Sequence, residues 1–108
     1  MKYRMVNMQV AKHIFGWKQV SGTRWQTPDD GILPLINWAE DLEQAIKILP
    51  IIHKLDLCID IKDDTGSWEV CITKDGTHKP IHTRTLELGL CLAALRAKGI
   101  EIDVIDCQ

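Results

Sequence analysis

Val6, Val10 and Ile14 recur every four residues with Ala11 beside them, the spacing of one face of a helix. Gly16 follows at the point where helices commonly end in a left-handed residue, so the pattern predicts a first amphipathic helix over about residues 5–15. Trp17–Val20 and Thr23–Gln26 then flank Ser21-Gly22. Aromatic and β-branched residues around a glycine turn predict a short hairpin. Thr27-Pro28-Asp29-Asp30-Gly31 breaks regular structure, and Pro34 keeps the chain irregular to about Asn37.

A second helix is expected to start near Trp38–Asp41, because Glu40, Asp41 and Glu43 crowd a first turn whose dipole favours negative charge. Leu42, Ala45, Ile46 and Leu49 form its predicted apolar stripe. Pro50 has no N–H to donate, so the helix either kinks there or restarts as a final turn over Ile51–Leu55. Leu55, Leu57, Ile59 and Ile61 alternate with Asp56, Cys58, Asp60 and Lys62, the period-two pattern of a strand with one buried face. After the turn sequence Asp63–Ser67, Trp68, Val70 and Ile72 alternate in the same way, which completes a second hairpin. Lys74–Pro80 reads as a loop pivoting on Asp75-Gly76.

Leu86–Lys98 is apolar nearly all round, the mark of a buried helix. Thr83 or Thr85 is its candidate cap and Gly99 its stop. Ile100–Asp106 alternates once more and is expected to form a final edge strand, a surface that invites pairing with a second copy. The predicted order is α-β-β-α-β-β-α-(β): an α+β fold, one domain over residues 1–108, with a mostly antiparallel sheet sandwiched by helices.

Composition narrows the function classes. With 13 basic against 15 acidic residues the net charge is −2, which argues against a duplex nucleic-acid binder, since that role calls for many phosphate contacts. The charged, polar start shows no signal peptide and no stretch has the length of a membrane span. Cys58, Cys71, Cys91 and Cys107 form no CxxC pair and read as reduced thiols of a cytosolic protein. Cys58 and Cys71 are expected to approach each other across the second hairpin.

Catalytic and metal motifs are absent. His78 and His82 stand four apart, but in a loop holding Pro80, and no spacing matches a zinc site; no metal or cofactor is expected. Asp56, Asp60, Asp63 and Asp64 are carboxylates of the kind a small enzyme employs, although strand and turn aspartates are common. A more distinctive stretch is His78, Lys79, His82, Thr83, Arg84 and Thr85. It sets cations and hydroxyls just before the third helix, whose free N–H groups favour anions. Trp17 and Trp25, beside Lys18 and Arg24, are candidates to stack on a base or a partner protein, whereas Trp38 and Trp68 read as core.

VAKHIFGWK (Val10–Lys18), WAEDLEQAI (Trp38–Ile46), SWEV (Ser67–Val70) and LCLAALRAKG (Leu90–Gly99) together resemble the phage ABA-sandwich domain, a family of small phage and prophage proteins of Gram-positive bacteria. PIIHKL (Pro50–Leu55) and the strand-like tail depart from that pattern. The resemblance implies a sheet sandwiched between helices and a phage origin; it implies no activity. On that footing the expected function is a non-enzymatic binding protein acting in the host cytoplasm. Its ligand would be a small anionic, nucleotide-like host molecule, such as an immune signal, sequestered so that a defence is not triggered. The alternative is a module that binds a host or phage protein, for instance a defence protein, through the tryptophan-bearing hairpin. A small enzyme using the aspartate cluster is third. A homodimer or higher homo-oligomer is expected from the tail.

Overall fold

The computed structural model describes residues 2–74 and 77–102. Its first element, α1 (Arg4–His13), turns Val6, Asn7, Val10 and Ala11 inward, as the four-residue spacing predicts. Gly16 sits at φ 72°, and the N–H of Trp17 reaches back to the carbonyl of Ala11 at 2.8 Å. This left-handed ending satisfies an orphan carbonyl of the last turn and fixes the direction of the chain on both sides of Gly16.

The hairpin follows as β1 (Lys18–Ser21) and β2 (Arg24–Gln26), with a register irregularity between Gln19 and Ser21. A third strand, β3 (Ile32–Pro34), pairs antiparallel with β2, where the sequence pattern predicts irregular chain. Pro34 is tolerated because β3 is an edge strand, where an N–H can be missing without breaking the ladder.

Asp41 caps α2 (Leu42–Ala45), its carboxylate accepting from the N–H of Glu43. A 3-10 turn over Ile46–Ile48 and then α3 (Leu49–Lys54) continue the segment. Pro50 thus stands at the start of a restarted helix, where its missing N–H costs nothing. The predicted stripe needs correction. Leu42 and Ile46 are 38% and 48% exposed, while Ala45, Ile48 and Ile52 are the buried positions. Ala45 and the partly buried Leu49 hold the predicted stripe, while beyond Ala45 the tight turn shifts the helical phase, so that Ile48 and Ile52 take the inward place expected of Ile46.

The second hairpin is β4 (Cys58–Asp64) and β5 (Ser67–Lys74), in register from Cys58↔Thr73 to Asp64↔Ser67. Thr65 and Gly66 make its two-residue turn, both at positive φ, as right-twisted strands require. The strand starts at Cys58 rather than Leu55, because Asp56 takes φ 62° and breaks the extended run. A larger correction concerns the expected loop over Lys74–Pro80. The chain returns as β6 (Thr77–Thr83), paired with β5 from Trp68↔Thr83 to Lys74↔Thr77. Asp75 and Gly76 lie outside the described residues. Two three-stranded antiparallel sheets result, ordered β1-β2-β3 and β4-β5-β6.

Helix α4 (Leu86–Ala97) closes the described fold, capped by the Thr85 hydroxyl, which accepts from the N–H of Leu88. Every residue from Leu88 to Leu95 is buried, because α4 packs on β5 and β6 along one side and on α1 and α2 along the other. The α+β class, the antiparallel pairing and the rough element order are as expected; the layering around α4 is sheet–helix–helix, with a helix rather than the sheet in the middle. Gly89 lets α4 approach β5 closely: a Cβ there would stand 2.8 Å from both the Thr83 hydroxyl and Val70 Cγ2. Ile100–Ile102 forms no strand, and Asp103–Asp106, the rest of the expected edge strand, falls outside the described residues.

Candidate functional site

Phe15 and Trp17 straddle Gly16, so the left-handed helix ending sends both rings toward Trp38. Phe15 and Trp38 stack with centroids 4.9 Å apart and planes 13° from parallel. Trp17 meets Trp38 edge-on at 5.2 Å, another favoured geometry for two π systems. Trp38 is buried while Phe15 and Trp17 remain half-exposed, so the cluster is anchored at one end and open at the other.

The anchor is a buried polar staple. Asn7 is fully buried, accepts from the N–H of Ala39 at 2.9 Å and donates to the side-chain oxygen of Asn37 at 2.9 Å. These bonds join α1 to the segment carrying Trp38. Asparagine with both ends of its amide engaged is well suited to such a site.

A cleft of about 360 Å³ opens against these rings, within the size range of small-molecule sites. Phe15, Trp17 and Trp38 give it an aromatic wall; Leu33 and Ile36 extend the apolar lining; Asp29, Asp30, Gln44 and Lys47 supply the polar part. Asp29 and Asp30 are presented by the loop between β2 and β3. That loop is closed by Thr27, whose N–H and hydroxyl both donate to the carbonyl of Gly31 at 2.8 and 2.9 Å. The Thr27 hydroxyl also accepts from the N–H of Asp30 at 2.8 Å. Lys47 comes from the 3-10 turn, its ammonium donating to the Gln44 side-chain oxygen at 3.0 Å. An ammonium has three donors, so this bond leaves capacity for a ligand.

The candidates named from sequence separate in space. Trp17 lines the cleft. Trp25 is fully buried, at the centre of the first sheet opposite Leu33 and Gln19, and has no face to offer a ligand. Its indole N–H has no acceptor among the described residues. Lys18 and Arg24 are exposed on that sheet, and Arg24 borders a shallow groove with Ile32 and Pro34, apart from the aromatic wall. Trp38 is core, as expected, and Trp68 is only half-buried.

The cationic segment is a strand rather than a loop. His78 stands opposite Thr73 and Lys79 opposite Ile72, and the side chains of both lie outside the described part of the molecule. His82 faces Glu69 at 3.5 Å, and Glu69 also takes Lys62 at 3.9 Å. Thr83 is fully buried and donates to the carbonyl of Thr85 at 2.6 Å. The Thr85 hydroxyl caps α4, and Glu87 sits in its first turn. Arg84 is exposed beside them. The hydroxyls counted on for an anion thus already hold the strand–helix junction together.

Cys58 and Cys71 lie diagonally across β4 and β5, Cys58 exposed and Cys71 buried, and both are free thiols. Cys91 is buried in α4. Burial, and after it the Glu87 carboxylate one turn away, pushes its thiol far above the ordinary range. Asp60 and Asp63 point to opposite faces of β4, because side chains alternate along a strand. No group of three or more potential metal ligands occurs among the described residues.

The chain is similar in fold to a phage protein from Bacillus cereus known from a crystal structure. The TM-score is 0.75 at 22% sequence identity, over 95% of this chain and 93% of that one. No curated protein matches the chain. No helix among the described residues is long and apolar enough to cross a membrane. The family pattern of the phage ABA sandwich domain matches residues 8–95, most of the chain and every element from the aromatic helix ending to α4, so the chain belongs to the phage ABA sandwich domain family.

Proposed function

We propose that this phage domain is a non-enzymatic binding protein that sequesters a small nucleotide-like host molecule in the host cytoplasm, denying it to a host process such as defence. The observation that carries this reading is the meeting of an aromatic wall, Phe15, Trp17 and Trp38, with Lys47 in one cleft. A nucleotide has a flat base and an anionic phosphate, and these two surfaces answer each part in turn. The wall and Lys47 come from different elements, so a bound molecule spans them. The lining offers no free hydroxyl as a nucleophile among the described residues. Its hydroxyl, Thr27, is tied into its own loop in both hydrogen-bonding directions.

The test is calorimetry, with tryptophan emission in parallel, against a panel of linear and cyclic nucleotides. Removing the Trp17 face should cost about 1–3 kcal/mol, the scale of one base stacked on an aromatic ring. Lys47→Ala should cost about 1.5–3 kcal/mol, that of a charge-assisted hydrogen bond. Lys47 is exposed, so its variant should melt with the wild type. A partner protein docking on the same wall is the competing outcome. It takes over if no nucleotide binds while a host or phage protein is retained from lysate by the wild type and lost with Trp17→Ala.

A further inference from the structure

The polar rim of the cleft is one-sided. Asp29 and Asp30 are both exposed, and neither carboxylate has a hydrogen-bond or ion-pair partner among the described residues. The Thr27 hydroxyl beside them is already engaged, and the Gln44 oxygen holds Lys47. The two carboxylate side chains of the β2–β3 loop therefore offer acceptors, while the Gln44 amide N–H groups and Lys47 supply the donors of the lining. A ring laid on the Trp17 face turns its edge toward some part of this rim.

Hydrogen-bond patterns then discriminate among bases. The two oxygens of one carboxylate match two adjacent N–H donors lying in the ring plane. Guanine offers that pair, at N1 and at its exocyclic amine. Adenine and cytosine set a ring-nitrogen acceptor beside their amine, so one carboxylate oxygen faces a lone pair. Uracil has a single N–H between two carbonyls. A site that leaves a polar group unanswered discriminates against the ligand concerned more sharply than one that merely fits its shape. Carboxylates near the base also repel phosphate, which favours placing the anionic end at Lys47, which comes from a different element of the lining.

We infer that the cleft selects a guanine base, with a carboxylate of Asp29 or Asp30 accepting from N1–H and the exocyclic amine while the ring stacks on Trp17. This inference rests on the nucleotide reading of the cleft. The experiment measures affinities of guanosine, inosine and adenosine monophosphates for the wild type, Asp29→Asn, Asp30→Asn and the double variant, with melting curves for each. Both aspartates are exposed, so the variants should melt like the wild type. The expected result is guanosine monophosphate at least about tenfold tighter than adenosine monophosphate. The inosine compound, which lacks the amine, should fall between. At least one Asn substitution should erase most of the preference by weakening guanosine monophosphate, while adenosine monophosphate binds as well as before or more tightly, since the amide relieves both the lone-pair clash and the repulsion of phosphate. Equal binding of the guanosine and adenosine compounds, both weakened by Lys47→Ala, overturns the guanine selection and leaves the nucleotide reading standing. A preference that survives the double variant overturns the aspartate assignment. If none of the three binds, both readings fall together.

Discussion

Gly89→Ala probes the closest approach in the core. Helix α4 meets β5 there, and an added Cβ would lie 2.8 Å from Thr83 Oγ1 and 2.8 Å from Val70 Cγ2, where ordinary contact begins at 3.4 Å. Neither neighbour is free to yield. Val70 is fully buried in the central strand of its sheet, and the Thr83 hydroxyl is held to the Thr85 carbonyl, next to the cap of α4. Overpacking of this kind costs about 1–3 kcal/mol, and two fixed contacts place the cost at the upper end. The gain in helix propensity from glycine to alanine returns about 1 kcal/mol. A net loss of about 2 kcal/mol is expected, a fall in Tm of about 8 °C for a domain of this size. Thermal unfolding followed by circular dichroism measures it. In a Val70→Ala background, where one obstruction is gone, the cost of Gly89→Ala should shrink by about 1 kcal/mol. A Tm unchanged or raised by Gly89→Ala, or the same cost in both backgrounds, would refute the close-packing argument.

Asn7→Ala orphans the buried N–H of Ala39, so chemical denaturation should show a loss of about 1–3 kcal/mol; an unchanged midpoint would mean that the staple is dispensable. Arg84→Ala, on an exposed residue at the start of α4, should change stability by less than about 0.5 kcal/mol and leave nucleotide affinity unaltered. A clear loss of affinity in calorimetry would move the site from the cleft to the helix N-terminus. Cys91 adds a pH dependence. Its folded-state pKa lies above the ordinary thiol value of 9.0, so the unfolded chain releases this proton first. The stability contribution is complete below pH 9 and falls as pH rises beyond it. Cys91→Ala should flatten that alkaline decline; an unchanged slope in urea melts from pH 8 to 10 would exclude Cys91 as its source.

What the sequence made legible was local. The end of α1 was readable because Gly16 answers a single geometric demand, and α4 because its apolar residues cover the whole circumference. The β4–β5 hairpin was readable because the alternation runs on both sides of Thr65-Gly66. The missed strands share a physical cause. Both β3 and β6 are edges and both contain proline, so neither displays the continuous β-branched run of a central strand. In β6, only Ile81 and Thr83 are buried among the positions whose side chains are described. Pairing with β5, a tertiary fact, turns a polar and proline-bearing segment into a strand.

The same distinction bears on the candidate site. A loop of histidines, lysine, arginine and hydroxyls can wrap around one anion; a strand spreads the same residues at about 3.3 Å apiece. Residues 78 and 82 therefore stand about 13 Å apart along the chain, and His82 turns to Glu69. Meanwhile residues with unremarkable local meanings converge. Asp29 and Asp30 belong to a turn sequence, and neither Lys47 nor Phe15 carries a signal of a site in its local sequence. The cleft arises because the loop following the Trp25 strand and the turn carrying Lys47 both border the rings gathered at the end of α1. Trp17 and Trp25 illustrate the point most directly. They are alike in composition and neighbourhood, yet Trp25 sits at the centre of a three-stranded sheet and is sealed, whereas Trp17 precedes its strand and keeps one face open. Strand β3, which no periodicity announced, completes the sheet around Trp25 and contributes Leu33 to the cleft.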